Sequence, residues 1–327
     1  MISYTIRRAL YGVLILLGVN LATFFLFFTV NTPDDMARLN IGGKRVTQQL
    51  IEKWKTERGY DKPLYWNDSK QGSEQLTETI FWERSVSLFK LDFGRPDSES
   101  SGDIGHEVST RMWVSMQLAI PIFLLQVIAS TAFALLLVMF RNTKLDLWGV
   151  ILCVLMLSIS SLFYIIVGQF LFSRVLKLVP ISGYVQSLDL VRFLVLPVML
   201  SAIARLGAEA RLYRAMFLEE ISKDYVRTAR AKGLSERIVM FRHVLRNALI
   251  PIITSAGGYL PYVFMGSLVF ESFFGIPGLG AYVIEAISKQ DFAIVRTMVF
   301  VGSLLYIATY VLIDMAYTWV DPRVRLA

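Results

Sequence analysis

Apolar runs recur along the chain, all but the last (which has Asp314 near its inner end) without a charge, and they limit its possible folds more than any other feature. A helix rises 1.5 Å per residue, so about 20 apolar residues cross a hydrocarbon core of about 30 Å. Six runs meet or approach this length, at residues 9–30, 112–140, 147–172, 193–204, 251–270 and 297–320. The fourth is only twelve residues long, so we expect its helix to continue through Arg205, Glu209 and Arg211 into the cytosol. The sequence predicts an all-α polytopic membrane protein with six transmembrane helices.

Composition agrees with a membrane protein. Hydrophobic residues make up 55% of the chain and charged residues only 18%, against about 25% charged residues in soluble proteins. The first apolar run is too long for a signal-peptide core and ends in Asn31-Thr-Pro, which predicts an uncleaved helix. The single cysteine, Cys153, excludes an internal disulfide framework. His106 and His243 are far apart in sequence, which argues against a metal site.

Lysine and arginine in short loops predict the orientation, because such residues accumulate on the cytosolic side. With six alternating spans, one side receives Arg7, Arg8, Arg141, Lys144, the ten basic residues from Arg205 to Arg246, Arg323 and Arg325. Both termini are therefore predicted to be cytosolic. The opposite side receives a polar segment with 11 basic and 14 acidic residues. The net charge of +7 is thus concentrated on the inner face and does not suggest nucleic-acid binding.

The predicted organisation has three parts: a first transmembrane helix (1–30), an external insert (31–110) and a five-helix core (111–327). The core contains a cytoplasmic loop at 205–250. The insert carries three tryptophans, Trp54, Trp66 and Trp82, and other aromatic residues sufficient for a small cap. Its pattern predicts a helix over 46–55. Serine, aspartate and glycine at 96–105 predict a flexible turn.

A basic segment between the fourth and fifth runs, DYVRTARAKGLSERIVMFRHVLRNALIP at 224–251, predicts two short helices. Asp224 can cap the first, and Gly233 can end it in the left-handed conformation. Ser235 can then start a second helix that continues through Arg246. Three small residues would allow another backbone to approach, namely Thr228, Ala229 and Ala231. From the residues alone, two interpretations of this segment remain open: a solvated basic loop and a segment that docks on a partner.

This segment resembles the cytoplasmic coupling loop of ABC importer permeases of the dipeptide/oligopeptide/nickel group. That pattern, D-Y-V-x-T-A-R-A-K-G-L followed by R-N-A-L-x-P, is filled at every fixed position. Arg227 and Thr228 replace the glutamate and first alanine of the general "EAA" signature. The resemblance implies the type I ABC importer permease fold and a peptide permease of the B type. It assigns ATPase coupling to Asp224, Tyr225, Thr228, Ala229, Ala231, Lys232, Gly233 and Leu234.

Two further stretches carry the same resemblance: Val179-Pro-Ile-Ser-Gly183 and Phe270-Glu-Ser-Phe-Phe-Gly-Ile-Pro-Gly-Leu-Gly280. The second is similar to the family signature V-x-E-x-x-F-x-x-P-G-L-G. The chain departs from the family at Ser158-Ile-Ser-Ser161, where a proline is usual. Glycine and proline in the fifth run indicate a bendable pore-lining helix or tight helix packing. The predicted pore and gate residues are Gly257, Gly258, Pro261, Ser267, Glu271, Gly275, Pro277, Gly278 and Gly280.

The chain lacks the G-x-x-x-x-G-K-[ST] phosphate loop, so any driving nucleotide is expected on another subunit. The resemblance implies a non-enzymatic transport subunit of a bacterial inner membrane. Its expected partners are a second homologous permease, two ABC ATPase subunits that bind ATP and Mg, and an external substrate-binding protein. The insert is either a passive loop or part of the surface that meets this binding protein.

The cargo stays open, because the family handles dipeptides, oligopeptides, nickel chelates, glutathione and peptide-like antibiotics. The alternative function is an ion-coupled secondary transporter. That class would require inverted repeats and buried acidic residues near the middle of a span, and the sequence shows neither.

Overall fold

The computed structural model describes residues 2–42, 46–98, 102–187 and 189–320, without the side chains of 2–6, 9 and 314–320. These residues are helical or irregular, and no strand occurs among them. The helices are α1 (Ile2–Val30), α2 (Pro33–Ile41), α3 (Gln48–Arg58), α4 (Glu74–Thr77), α5 (Ile104–Met139), α6 (Lys144–Ser158), α7 (Ser161–Gly168), α8 (Leu190–Ile221), α9 (Asp224–Ala231), α10 (Glu236–Ile238), α11 (Arg246–Gly257), α12 (Leu260–Met265), α13 (Leu268–Phe274), α14 (Leu279–Ser288) and α15 (Phe292–Val320). Arg323 and Arg325, which support the predicted orientation, lie outside the described residues.

Five helices in the described part of the chain are long and apolar enough to cross a membrane. They are Leu10–Val30, Ile104–Met139, Leu190–Ile221, Glu236–Gly257 and Phe292–Ile313. Two bent helix pairs raise this number to as many as seven if each pair is one span. The first pair joins Lys144–Ser158 to Ser161–Val175, and the second joins Leu260–Phe274 to Leu279–Ser288. The all-α polytopic membrane fold is confirmed.

The third predicted span is a broken helix, not the continuous one expected over 147–172. Its two halves meet at an angle of 92°. Ile159 and Ser160 adopt extended backbone conformations between α6 and α7. The Ser160 hydroxyl accepts a hydrogen bond from the Phe163 backbone N–H (3.3 Å) and caps α7. A serine cap therefore breaks the helix in the stretch where the sequence departs from the family's proline.

The expectation that the helix of the fourth span continues beyond Ala204 is confirmed. Helix α8 runs without a break from Leu190 to Ile221, and its 32 residues correspond to about 48 Å. Arg214 in its second half forms a two-bond ion pair with Asp146 of α6, with N–O distances of 2.9 and 2.7 Å. Such a charge-assisted pair fixes the register between the two helices.

The chain divides into two compact units, the first comprising 1–113 and 279–327 and the second comprising 114–278. In the second unit, α8 packs against α6, α7 and α11. In the first unit, α1 packs along α15, and α2 packs on α3 within the insert. The predicted boundaries at 30 and 110 refer to the membrane surface, which this division does not test.

Within the first unit, the stretch around Asp97 corrects the expectation of a flexible turn over 96–105. The Asp97 side chain is buried and accepts hydrogen bonds from the Tyr60 hydroxyl (2.9 and 3.1 Å) and the Ala293 backbone N–H (2.9 Å). Ser98 donates two hydrogen bonds to Asp291, from its backbone (2.8 Å) and its hydroxyl (2.6 Å). These contacts fasten the insert to the first turn of α15, because the buried carboxylates satisfy N–H groups that a helix start leaves open.

Burial raises the pKa of Asp97, and the charge of Arg84 offsets part of that rise. A carboxyl with a raised pKa in the folded state adds stability below its unfolded pKa of about 3.9, and this stability is lost as the pH rises through the folded value. Because asparagine does not titrate, we expect the melting temperature of the wild type, relative to that of Asp97→Asn, to fall as the pH rises from about 4.

The exposed Asp61 supplies the control, because Asp61→Asn removes a carboxyl that solvent surrounds. Thermal unfolding of the purified protein, followed by tryptophan fluorescence at several pH values, gives the melting temperature of the wild type relative to that of each variant. A wild-type melting temperature that rises relative to Asp97→Asn over the same pH range would contradict the assignment.

Candidate coupling segment and gate

The first helix of the coupling segment, α9, begins at Asp224 and not after it. Lys223 occupies the N-cap position, and no side chain caps the helix. The prediction that Asp224 is the cap is therefore wrong. Its carboxylate is exposed and lies 3.6 Å from the Arg227 guanidinium. In the first turn it still compensates the positive end of the helix dipole, which accounts for an acidic residue here.

The prediction that Gly233 ends this helix is confirmed. Gly233 has φ of +77°, in the left-handed region. Its N–H donates to the Arg230 carbonyl (2.9 Å), and the Leu234 N–H donates to the Ala229 carbonyl (3.4 Å). This pair of bonds is the Schellman motif, in which glycine avoids the strain that a side chain would cause. A Cβ at Gly233 would meet nothing within 4 Å, so the requirement for glycine is conformational.

The second helix of the segment begins at Glu236, directly after Ser235, as predicted. It continues through a π-helical stretch (Val239–Leu245) into α11. The Arg230 guanidinium of α9 makes two hydrogen bonds to the Glu236 carboxylate, at 3.1 and 2.5 Å. This pairing raises the pKa of Arg230, which therefore stays charged. The ion pair joins the two helices across the turn at Gly233.

Buried side chains attach α9 to the second unit. Val226 and Ala229 are buried in a cluster with Tyr213 and Phe217 of α8 and Met240 of the second helix. The expectation that Ala229 lets a partner's backbone approach is corrected, because its side chain is 4% exposed and points into this cluster. The Tyr225 hydroxyl donates to Glu220 near the end of α8 (2.6 Å). The exposed residues of α9 and of the turn directly after it are Asp224, Arg227, Thr228, Ala231, Lys232, Gly233 and Leu234.

The fifth predicted span, 251–270, is divided among three helices instead of forming one. Helix α11 ends at Gly257, and a turn at Gly258 leads into α12, which has Pro261 as its second residue. Helix α12 ends at Gly266, which has φ of +76°. The Ser267 hydroxyl then accepts a hydrogen bond from the Phe270 N–H (3.4 Å) and caps α13. Glycine and proline thus divide the run into separate helices, where a single bendable helix was expected.

A buried carboxylate lies at the centre of the candidate gate. Glu271 is fully buried and accepts hydrogen bonds from the Ser115 hydroxyl (2.8 Å) and the Ser267 N–H (3.2 Å). A Cβ at Gly266 would lie 2.1 Å from one carboxylate oxygen, and a Cβ at Gly278 would lie 2.5 Å from the other. The glutamate and the first glycine of the signature are therefore linked, because Gly278 leaves the space that the carboxylate occupies.

The two other stretches that carry the family resemblance meet in the second unit. The Gly183 N–H donates to the Phe274 carbonyl (2.8 Å) at the end of α13. The Gln169 side chain donates to the carbonyls of Ile181 (3.0 Å) and Phe273 (3.1 Å). Sequence reasoning did not identify Gln169 or Ser115, because each is far along the chain from the residues it contacts.

Three of the remaining predicted gate residues follow Glu271 in the sequence: Gly275, Pro277 and Gly280. Gly275 ends α13 in the left-handed conformation, with φ of +64°. Pro277 is exposed, and Gly280 is buried in the first turn of α14. Beside the loop, a cavity of about 510 Å³ opens within the second unit, and Gly266 and Ser267 line it.

Comparisons with known proteins agree with this architecture. Residues 110–326 match the family described as binding-protein-dependent transport system inner membrane component, and residues 1–86 match the family of its N-terminal part. A putative peptide transport system permease of Brucella abortus (strain 2308) is 32% identical over 330 residues, which cover 99% of both chains. A glutathione transport system permease of Escherichia coli (strain K12) is 30% identical over 325 residues, again 99% of both chains.

A dipeptide transport system permease of Bacillus subtilis (strain 168) is 33% identical over 254 residues, which cover 77% of this chain and 80% of that protein. The apolar helices and these matches define a multi-pass inner membrane protein that acts as a transport subunit. The chain belongs to the family of binding-protein-dependent transport system inner membrane components, as an ABC importer permease of the dipeptide/oligopeptide group. The alternative of an ion-coupled secondary transporter finds no support in these matches.

The contact at Glu271 makes Gly278→Ala a test of the gate structure. We expect this change to lower the unfolding free energy by about 1–3 kcal/mol, because the new methyl group would lie 2.5 Å from both the Glu271 carboxylate and the Ser115 hydroxyl. Gly18→Ala is the matched control, since a Cβ there meets nothing within 4 Å. Chemical or thermal unfolding of the purified protein measures both changes.

A double-mutant cycle makes the same test specific to the Glu271 contact. Glu271→Ala removes the carboxylate, so Gly278→Ala should cost less in that background than in the wild type. Strictly additive losses would show that the carboxylate is not what makes Gly278 necessary.

Proposed function

We propose that this chain forms half of the translocation pathway for peptides or related small solutes in an importer driven by ATP hydrolysis on partner subunits. The names of its relatives support this cargo class, since they refer to peptide, dipeptide and glutathione transport systems. All three names describe solutes with peptide bonds or peptide character. The two family matches, which together cover residues 1–86 and 110–326, support a role as a whole permease subunit.

The observation that carries the coupling role is the attachment of α9 to the long helix α8. One face of α9 is exposed, while its opposite face is buried against Tyr213 and Phe217 of α8. A partner that binds the exposed face would therefore transmit its displacement to α8 through packed side chains and not through a flexible loop. An ATPase whose closed state binds this face more tightly than its open state would bias the position of the helix.

The proposed assembly contains a second homologous permease, two ABC ATPase subunits and an external substrate-binding protein. ATP and Mg are bound by the ATPases, and this chain supplies no nucleotide site. The coupling segment faces the cytosol in this assembly, as do both termini. The insert at 31–110 lies outside, where its attachment to α15 through Asp97 and Asp291 gives an external protein a firm surface to contact.

The coupling role predicts different results for two substitutions of Gly233. Valine is strained at φ of +77°, whereas asparagine tolerates the left-handed conformation. We expect Gly233→Val to lower ATP-driven peptide uptake at least about tenfold and Gly233→Asn to retain most of it, because the strain of about 1–2 kcal/mol distorts the docking face. Uptake by the complete importer in proteoliposomes measures this, with membrane insertion and complex yield as controls. Equal uptake by wild type and Gly233→Val would contradict the coupling role.

Cysteine crosslinking tests which face of α9 meets the ATPase. Ala231 is exposed, whereas Ala229 is buried only two residues earlier, so the pair forms a matched comparison. In a background without Cys153, we expect Ala231→Cys to crosslink to ATPase subunits of the complex and Ala229→Cys to remain unreacted. Crosslinks from neither position, with the ATPases present in the purified complex, would place the contact elsewhere.

A further inference from the structure

The cavity of about 510 Å³ in the second unit lies between helices α5, α7, α8 and α12 and the Gly266 loop. Its size falls within the range of about 300–1,000 Å³ that is usual for small-molecule sites. Most of its wall is apolar and includes Leu118, Ile122, Phe123, Val263 and Phe270. An apolar wall of this kind accepts varied side chains, since it offers few directional contacts that a ligand must match.

One side chain in this wall carries a full positive charge. Arg205 lies on α8 about 22 Å along the helix from Leu190, within a candidate membrane span. Its guanidinium lies over the Tyr259 ring, 4.5 Å from the ring centre. Arg205 forms no ion pair among the described residues, although Glu209 follows one turn later on the same helix, and the Tyr259 hydroxyl hydrogen-bonds with both side chains. Glu209 is buried, whereas Arg205 is exposed to the cavity.

A cationic side chain in a membrane span is energetically unfavourable, and such residues usually pair with another group or line a substrate pathway. Two further polar side chains line the same cavity: Ser201, one turn earlier on α8, and Gln126 of α5. Their hydroxyl and amide groups can donate hydrogen bonds to an anionic oxygen beside the guanidinium. The cavity thus combines one positively charged end with apolar walls.

We propose that this cavity is a transit site that holds the carboxylate of a peptide against Arg205. The inference rests on the proposed function and names the group of the cargo that the permease recognises. The terminal carboxylate is common to linear peptides of any sequence, and arginine is well suited to it because the guanidinium fork pairs with both carboxylate oxygens. Recognition of this group, with apolar surroundings for the side chains, gives a pathway that accepts many peptides but favours a free carboxyl end.

The test compares a peptide that the complete importer transports with the same peptide amidated at its C-terminus. The external binding protein contributes equally to measurements on wild type and variant, so the informative quantity is the ratio of kcat/KM for the free and amidated peptides. We expect Arg205→Gln to reduce this ratio at least about tenfold, as loss of a charged hydrogen-bonded pair implies. Arg205→Lys should retain part of the preference. Arg192→Gln, an exposed arginine on the same helix outside the cavity, should leave the ratio unchanged.

A binding measurement keeps this inference separate from the proposed function. In the purified complex, the free peptide should raise the melting temperature of the wild type more than its amide does, and Arg205→Gln should abolish the difference. If the wild type imports no peptide, the proposed function fails, and this binding measurement alone decides the transit site. Equal losses for both peptides, or a preference that Arg205→Gln retains, would overturn the proposal. A preference that exists only in vesicles of anionic lipid and not of phosphatidylcholine would assign Arg205 to lipid headgroups and also overturn it.

Discussion

The structure depends on one constraint: a backbone group in the hydrocarbon core needs a hydrogen-bond partner within the protein. Unbroken helices meet this requirement internally, so each break must supply its own partners. At the break before α7, the Ser160 hydroxyl accepts a hydrogen bond from the Phe163 N–H. At the break before α13, the Ser267 hydroxyl accepts a hydrogen bond from the Phe270 N–H. The Glu271 carboxylate accepts one from the Ser267 N–H. The breaks occur where a short polar side chain or a buried carboxylate can reach the backbone, and this fixes the position of the loop beside the cavity.

The same constraint explains what the sequence could and could not predict. Apolar run length predicted the helical membrane fold, and Gly233 predicted the end of α9, because each depends on local residues. The continuous helices expected at 147–172 and 251–270 were wrong, since run length counts apolar residues and does not register a capping serine or a glycine with positive φ. Asp97 was expected in a flexible turn because its neighbours are small and polar. Its partners Tyr60 and Ala293 lie far along the chain, so no local pattern could reveal its burial.

Helix α8 connects the parts of the second unit that the proposals involve. Arg205 in its middle lines the cavity, Arg214 further on pairs with Asp146 of α6, and Phe217 near its end packs against α9. An unbroken helix of this length transmits a displacement along its axis better than the segmented fifth run does, because the helix continues through Gly207 without a break between Arg205 and Phe217. The stretch from α11 to α13, in contrast, consists of short helices joined at Gly258 and Gly266, and so it can change shape while α8 stays continuous.

This arrangement has a thermodynamic consequence for transport. If the cavity holds the peptide carboxylate at Arg205 and the ATPase binds α9, both ligands act on one helix, at its middle and near its end. The factor by which bound peptide changes the ATPase affinity must then equal the factor by which bound ATPase changes the peptide affinity, because linkage between two binding sites is reciprocal. Cargo in the cavity would thus change the free energy of ATPase closure, and closure would change the hold of Arg205 on the carboxylate by the same factor. A single long helix is sufficient for this exchange, without a relay through the external insert.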